Sequence, residues 1–225
     1  TAVVPDGWQQ GRGAFGGLVL GILARAMVAS EPDTSRTLRM LSGEICGPVL
    51  VGEVRIEVSV LRRGKNLTNL DARLVQNGEV IARASAGLST ARATAGEVRS
   101  PDAPVAPGWE SVSVAAVPRA FAPAFAQHFA FRPTGPLPFS GGPEPIVEGY
   151  VREAVAPSRV DAPMMIALLD SYWPAFFSTA TMPRAAATVG FTAQLLIDPA
   201  TLDPAVPLLY RARSVAMRDG FCVEM

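Results

Sequence analysis

An apolar run at residues 16–30, GGLVLGILARAMVAS, carries a single charge, Arg25, near its centre. It is too short to span a bilayer and predicts a buried helix. Three runs of strand character follow, at 36–48, 52–64 and 65–90. In the second, Val54, Ile56, Val58 and Val60 alternate with Arg55, Glu57 and Ser59, the period of a half-buried strand. The third divides at Asn77-Gly78, a type I′ hairpin signal, giving a helix followed by an antiparallel meander. Residues 94–118 change character, with Pro101, Pro104, Pro107 and Pro118 among small residues, and predict an exposed linker. A second linker-like stretch, 132–145, joins two strand-like segments, FAPAFAQHFAF and PIVEGYVREAV.

The pattern then restarts. A helix over roughly 161–173 has Asp161 as its N-cap and Pro163 in its first turn. A strand at 186–198, a Pro-rich connection and a strand PLLYRARSVAMRDGFCVEM complete the chain. SVLRRG at 59–64 superposes on SVAMRDG at 214–220 with one inserted residue, which aligns Gly64 with Gly220. On that alignment the second unit stops where the first still has its last hairpin partners. An open sheet there would expose an apolar edge, so the expectation is that further strands belong beyond Met225. The organisation is an α+β duplication: a first unit at 1–93, a linker at 94–118 and a second unit at 119–225.

Composition narrows the function classes. With 49% hydrophobic and 18% charged residues the chain is globular, and its 20 basic and 20 acidic side chains form no basic stripe. A nucleic-acid partner is not expected. The two cysteines, Cys46 and Cys222, lie far apart without metal-ligand spacing and are read as reduced packing residues of a cytoplasmic protein, with neither metal nor cofactor expected. GRGAFGG at 11–17 does not follow a strand of a βαβ unit, which rejects a dinucleotide site. Its glycines instead let the chain pass close to the helix they introduce. His128, the only histidine, falls on a presumed strand and is read as structural, and no Gly-x-Ser-x-Gly elbow is present.

One carboxylate does not fit this apolar pattern. In MIALLDSYWPAFF at 165–177, helical spacing sets Asp170 beside Ile166, Ala167, Trp173 and Pro174, none of which can pair with it. Such a group either reaches solvent or a neighbouring turn, or is kept for chemistry with its pKa raised toward neutrality. Pro174 cannot donate to the carbonyl of residue 170 and ends or kinks the helix there. Around a Gly turn, Arg62, Arg63 and Lys65 offer cations that could meet phosphates, although such a turn is also an ordinary solvated one. Met164, Met165, Trp173, Phe176 and Phe177 serve either as core or as the wall of an acyl tunnel.

Four stretches carry a family likeness: GAFGGLVLGILARAM, VSVLRRGKNLTNLDARLVQNGEVIARAS, ALLDSYW and AATVGFTAQLLI. In order and spacing the sequence resembles the double hot-dog acyl-CoA thioesterases of the thioesterase II type. The resemblance implies two helix-wrapped antiparallel sheets in one chain and hydrolysis of an acyl-CoA thioester by water, with no metal and no covalent intermediate. It matches Asp170 to the catalytic Asp of the second helix and Thr188 to the Thr of the following strand. A Gln on the last strand would fall beyond Met225. Strand alternation puts Thr188 on one face with Thr192, the fallback for its role, and turns both from a covered helix unless a bulge or strand mouth intervenes. The alternative for Thr188 is a β-branched residue placed for its strand propensity. Pairing of two chains into a homodimer is an expectation from the family, and a non-catalytic acyl-thioester binding protein on the same fold is the alternative.

Overall fold

The computed structural model describes residues 1–93, 96, 104–118 and 122–225. Its strands are β1 (Ala2–Val4), β2 (Gln9–Gln10), β3 (Gly13–Ala14), β4 (Thr37–Ile45), β5 (Gly52–Arg63), β6 (Leu67–Gln76), β7 (Glu79–Ser89), β8 (Phe129–Pro133), β9 (Ile146–Glu153), β10 (Gly190–Gln194), β11 (Leu208–Arg218) and β12 (Phe221–Glu224). The two α-helices are α1 (Gly16–Ala29) and α2 (Ala162–Leu169). Six strands form one sheet in the order β1-β5-β6-β7-β4-β10, and four form a second in the order β12-β11-β9-β8, while β2 and β3 make a small hairpin.

The meander is only partly sequential. β5, β6 and β7 follow one another, but β4 pairs with β7 instead of β5. The Asn77-Gly78 turn has positive φ at both positions, 53° and 85°, as a type I′ hairpin requires. The alternation of β5 holds through Val54, Ile56 and Val58 and fails at Val60, which is exposed where the ladder with β6 shifts register between Val60 and Arg62. In this sheet α1 fills the concave side, with Val19, Leu20, Leu23, Ala24 and Met27 fully buried against Leu38, Leu41, Leu70, Leu74 and Leu88. Arg25, by contrast, leaves the apolar face and pairs with Asp161 at 3.0 Å.

The two halves are interlocked. β10, from the second half, pairs antiparallel with β4 as the edge strand of the first sheet, from Gly190 opposite Glu44 to Gln194 opposite Met40. Ala193 and Leu195 join the first core. The helices meet along a small-residue stripe of α1. A Cβ on Gly17 would lie 2.9 Å from the Ala167 carbonyl and one on Gly21 3.1 Å from that of Pro163, so the α2 backbone sits where only glycine leaves room. The second core, Phe15, Phe125, Phe129, Phe131, Val147, Val151, Leu168, Tyr172, Ala175 and Ala212, lies between α2 and the four-stranded sheet.

The linker reading over 94–118 lies partly outside the described residues; within 104–118, Ala115 N donates to Phe131 O at 2.8 Å, Tyr150 Oη donates to Pro107 O at 2.6 Å, and Arg132 lies over the Trp109 ring. Three expectations are corrected. His128 is not on a strand. It ends the 3-10 turn Ala124–His128, stacks on Trp8 at 3.9 Å between ring centroids and shares a hydrogen bond with Gly7 O. The final run is two strands, split at Asp219-Gly220 with φ of 51° and 82°, a second hairpin dipeptide of the Asn77-Gly78 kind. Cys46 and Cys222 are free, but neither is in a core. Among the described residues no helix is long and apolar enough to cross a membrane.

Candidate active site

α2 is shorter than its apolar run. Asp161 caps it, its Oδ1 accepting from Met164 N at 2.9 Å, and the helix stops at Leu169 rather than near residue 173. Its last turn tightens: Asp170 N and Ser171 N donate back to Ala167 O and Leu168 O, and the Ser171 hydroxyl also bonds Leu168 O at 2.8 Å. Asp170 is therefore the C-cap, with φ −103° and ψ 5°, and a turn runs from it through Pro174 into the 3-10 segment Ala175–Ser178. The carboxylate leaves the helix face shared by Ile166 and points at the start of α1.

There it meets an open helix end. The N-cap of α1 is Phe15, which supplies no side-chain acceptor. Asp170 Oδ2 is buried against that end, where a Cβ on Gly16 would stand 2.7 Å from it, and has no hydrogen-bond partner among the described residues. Oδ1 accepts from Thr188 Oγ1 at 2.9 Å. Burial raises the Asp170 pKa to about 7, opposed by the Thr188 hydroxyl and the Gly17 amide and reinforced by the charge of Glu224. The positive end of the α1 dipole favours the charged form but does not outweigh the loss of water.

Thr188 reaches this carboxylate because it lies outside the strand. The inward phase of β10 runs through Phe191 and Ala193, and Val189, which would continue it, is 60% exposed. Val189 O accepts from Ile45 N at 3.0 Å, so the segment is still held to the end of β4 while Thr188, one residue earlier, is released from strand alternation. Thr192 is not brought to Asp170. It projects from the exposed face of β10 toward the Ser42 hydroxyl, 3.4 Å away.

Asp170 opens on a groove of about 1300 Å³, walled by Tyr172, Pro174, Phe176, Phe191, Tyr210 and Phe221. Of the expected acyl-lining residues, Met164, Met165, Trp173 and Phe177 are not in these walls. Met165 packs on the first core, Met164 and Trp173 on the second, and Phe177 against Phe139 and Phe176. The cations of the Gly64 turn are also elsewhere. Arg62 and Lys65 border a separate depression of about 280 Å³, and Arg63 turns to the buried carboxylate of Glu31 at 3.3 Å. The ladder sets Thr37 and Leu67 opposite Ser89 at that end, and Ile45 and Leu74 opposite Ala82 at the Asp170 end. Seven residue steps at about 3.3 Å put the ends roughly 23 Å apart.

The groove residues missed in the sequence are Tyr172, Phe191, Tyr210, Phe221 and Glu224, together with Gln10, whose Nε2 donates to Ala186 O at 3.4 Å. A signal for one of them existed: the Asp219-Gly220 dipeptide folds β12 back along β11 and sets Glu224 opposite Ser214.

Interlocked sheets, each wrapped on a central helix, with the carboxylate of one helix at the N-terminus of the other, define a double hot-dog. The same fold is seen in a conserved hot-dog protein of unknown function from Alicyclobacillus acidocaldarius, with a TM-score of 0.87 at 21% identity over 99% of this chain and 88% of that one. It is seen also in the acyl-CoA thioesterase II TesB2 of Mycobacterium marinum, with a TM-score of 0.67 at 20% identity over 93% and 80% of the two chains. The tesB protein of Mycobacterium avium subs paratuberculosis gives 0.73 at 16% identity over 96% and 86%. No curated protein sequence matches the chain. The family profiles do: residues 4–89 match the acyl-CoA thioesterase N-terminal domain and 98–225 the acyl-CoA thioesterase C-terminal domain, so the chain belongs to the acyl-CoA thioesterase family. Its reaction is thioester hydrolysis.

Proposed function

We propose that the chain hydrolyses acyl-CoA thioesters with Asp170 as the general base. The observation that carries this is the buried carboxylate itself, with a pKa of about 7, set between the Thr188 hydroxyl, the α1 N-terminus and the groove. At neutral pH such a group is divided between its two protonation states, the poise a general base needs. The carboxylate, which lines the groove, takes the proton of a water. The water oxygen attacks the thioester carbonyl carbon, the carbonyl becomes an oxyanion, and the C–S bond then breaks. The departing thiolate recovers the proton from Asp170, leaving free acid and CoA. Thr188 fixes the carboxylate by donating to Oδ1. The first-turn amides of α1, which the N-cap residue Phe15 leaves without a side-chain acceptor, offer donors and a positive dipole end on the same side.

The test is thiol release across acyl-CoA chain lengths, with Asp170→Asn alongside. Turnover that peaks at one length and falls at least a hundredfold in the variant, with acyl-CoA affinity little changed, supports the reading. Wild-type protein that binds acyl-CoA but releases no thiol above background sinks it in favour of a binding protein on the same fold.

A further inference from the structure

The groove holds a second carboxylate that this reaction does not use. Glu224 lies on the exposed strand β12, yet its Oε2 accepts from the backbone N–H of the buried Ala175 at 2.6 Å. Ala175 closes the turn that Asp170 opens. That turn is pinned at three points: Ser171 Oγ to Leu168 O at its start, Tyr172 Oη to Tyr150 O at 3.0 Å in its middle, and Ala175 N to Glu224 at its end. The first two are ties to backbone carbonyls. The third is the one made to a carboxylate, and it comes from strand β12.

We propose that Glu224 is a positioning residue for Asp170, holding the turn that carries the catalytic carboxylate and setting a second carboxylate in the same groove. This rests on the reading of Asp170 as base. A charged acceptor at the head of a 3-10 turn makes a stronger tie than a neutral one. The two carboxylates also sense each other: the charge of Glu224 adds to the burial that raises Asp170, and burial raises Glu224 itself. Other charges of the groove are Arg184, on the loop before β10, Arg211, paired with Glu148, and Arg218, paired with Asp219. Tyr172, Tyr210 and Cys222 are its remaining titratable groups, and burial pushes both tyrosines above their usual range.

Glu224→Gln keeps an acceptor for Ala175 N and removes only the charge, whereas Glu224→Ala removes both. The measurements are kcat/KM against pH and the titration of the Asp170 carboxyl carbon by 13C NMR. In Glu224→Gln the carboxyl midpoint and the acid limb of the profile should move down by about half a pH unit or more. In Glu224→Ala kcat should fall at least a further tenfold with KM within about threefold. A Glu224→Gln carboxyl titration that superimposes on wild type overturns the proposal, and does so even if Glu224→Ala fails to fold. The base reading fails separately, through Asp170→Asn that keeps its turnover, because the carboxyl titration does not depend on activity.

Discussion

Replacing Asp170 with Asn should make the protein more stable at alkaline pH while abolishing its turnover. The carboxyl rises from 3.8 to about 7 on folding, chiefly through burial. A raised carboxylate pKa means that the native state binds the proton more tightly than the unfolded chain. The favourable contribution is full below 3.8, when both states are protonated, and is lost as pH climbs toward 7. At 1.36 kcal/mol per unit, the charged form costs the fold about 4 kcal/mol at pH 8 and less than about 1 at pH 4. Asn removes that cost at every pH, and its carbonyl can still accept from Thr188. Its amide then faces the N–H groups of the α1 start, a mismatch worth roughly 1–2 kcal/mol. The balance changes sign: Asp170→Asn should be more stable than wild type by roughly 2–3 kcal/mol at pH 8 and less stable by about 1 at pH 4. For a chain of this size that is a melting temperature some 5–10 °C higher at pH 8. Thermal unfolding followed by circular dichroism in matched buffers at the two pH values measures it. A difference of constant sign and size across the range would refute the claim that a desolvated carboxylate sits at this helix end.

Thr188→Val deletes the donor that favours the charged form of Asp170, so the acid limb of kcat/KM should move to higher pH and turnover at neutral pH should fall roughly 10- to 100-fold; a fall in rate with an unmoved limb would make Thr188 a packing residue only. Gly16→Ala brings a Cβ to 2.7 Å from Asp170 Oδ2 and 3.0 Å from Ile45 Cδ1, and should cost roughly 1–3 kcal/mol by urea unfolding and more than tenfold in turnover. Full activity in that variant would show that the carboxylate does not need its place on the α1 end. Arg62→Ala with Lys65→Ala should leave KM for acyl-CoA within about twofold, because the Gly64 turn lies at the far end of the sheet from Asp170; a KM raised tenfold would return these cations to the substrate site.

What could be read along the chain was whatever depends on near neighbours. α1 follows from its apolar run, the first hairpin from Asn77-Gly78, and the α2 start from Asp161 ahead of Pro163, since spacing, turn chemistry and capping are local preferences. Asp170 stood out for the same reason, as a carboxylate with no partner within a helical turn. Its surroundings were not local. The α1 end that it meets is more than 150 residues away in sequence, and Thr188 comes to it only because Val189 is anchored to Ile45 at the rim of the other half's sheet. Apolar character likewise said that Met164, Met165, Trp173 and Phe177 would be covered, but not by what, and packing assigned them to the cores and the Phe139 contact while other residues walled the groove. Glu224 shows the limit most plainly: the Asp219-Gly220 turn marks the strand that carries it, but only the closure of β12 over the turn after α2 gives it a partner. Local preferences thus settled which segments would be helix or turn, whereas the site arose where two halves of the chain exclude water from a single carboxylate, a condition that only tertiary packing creates.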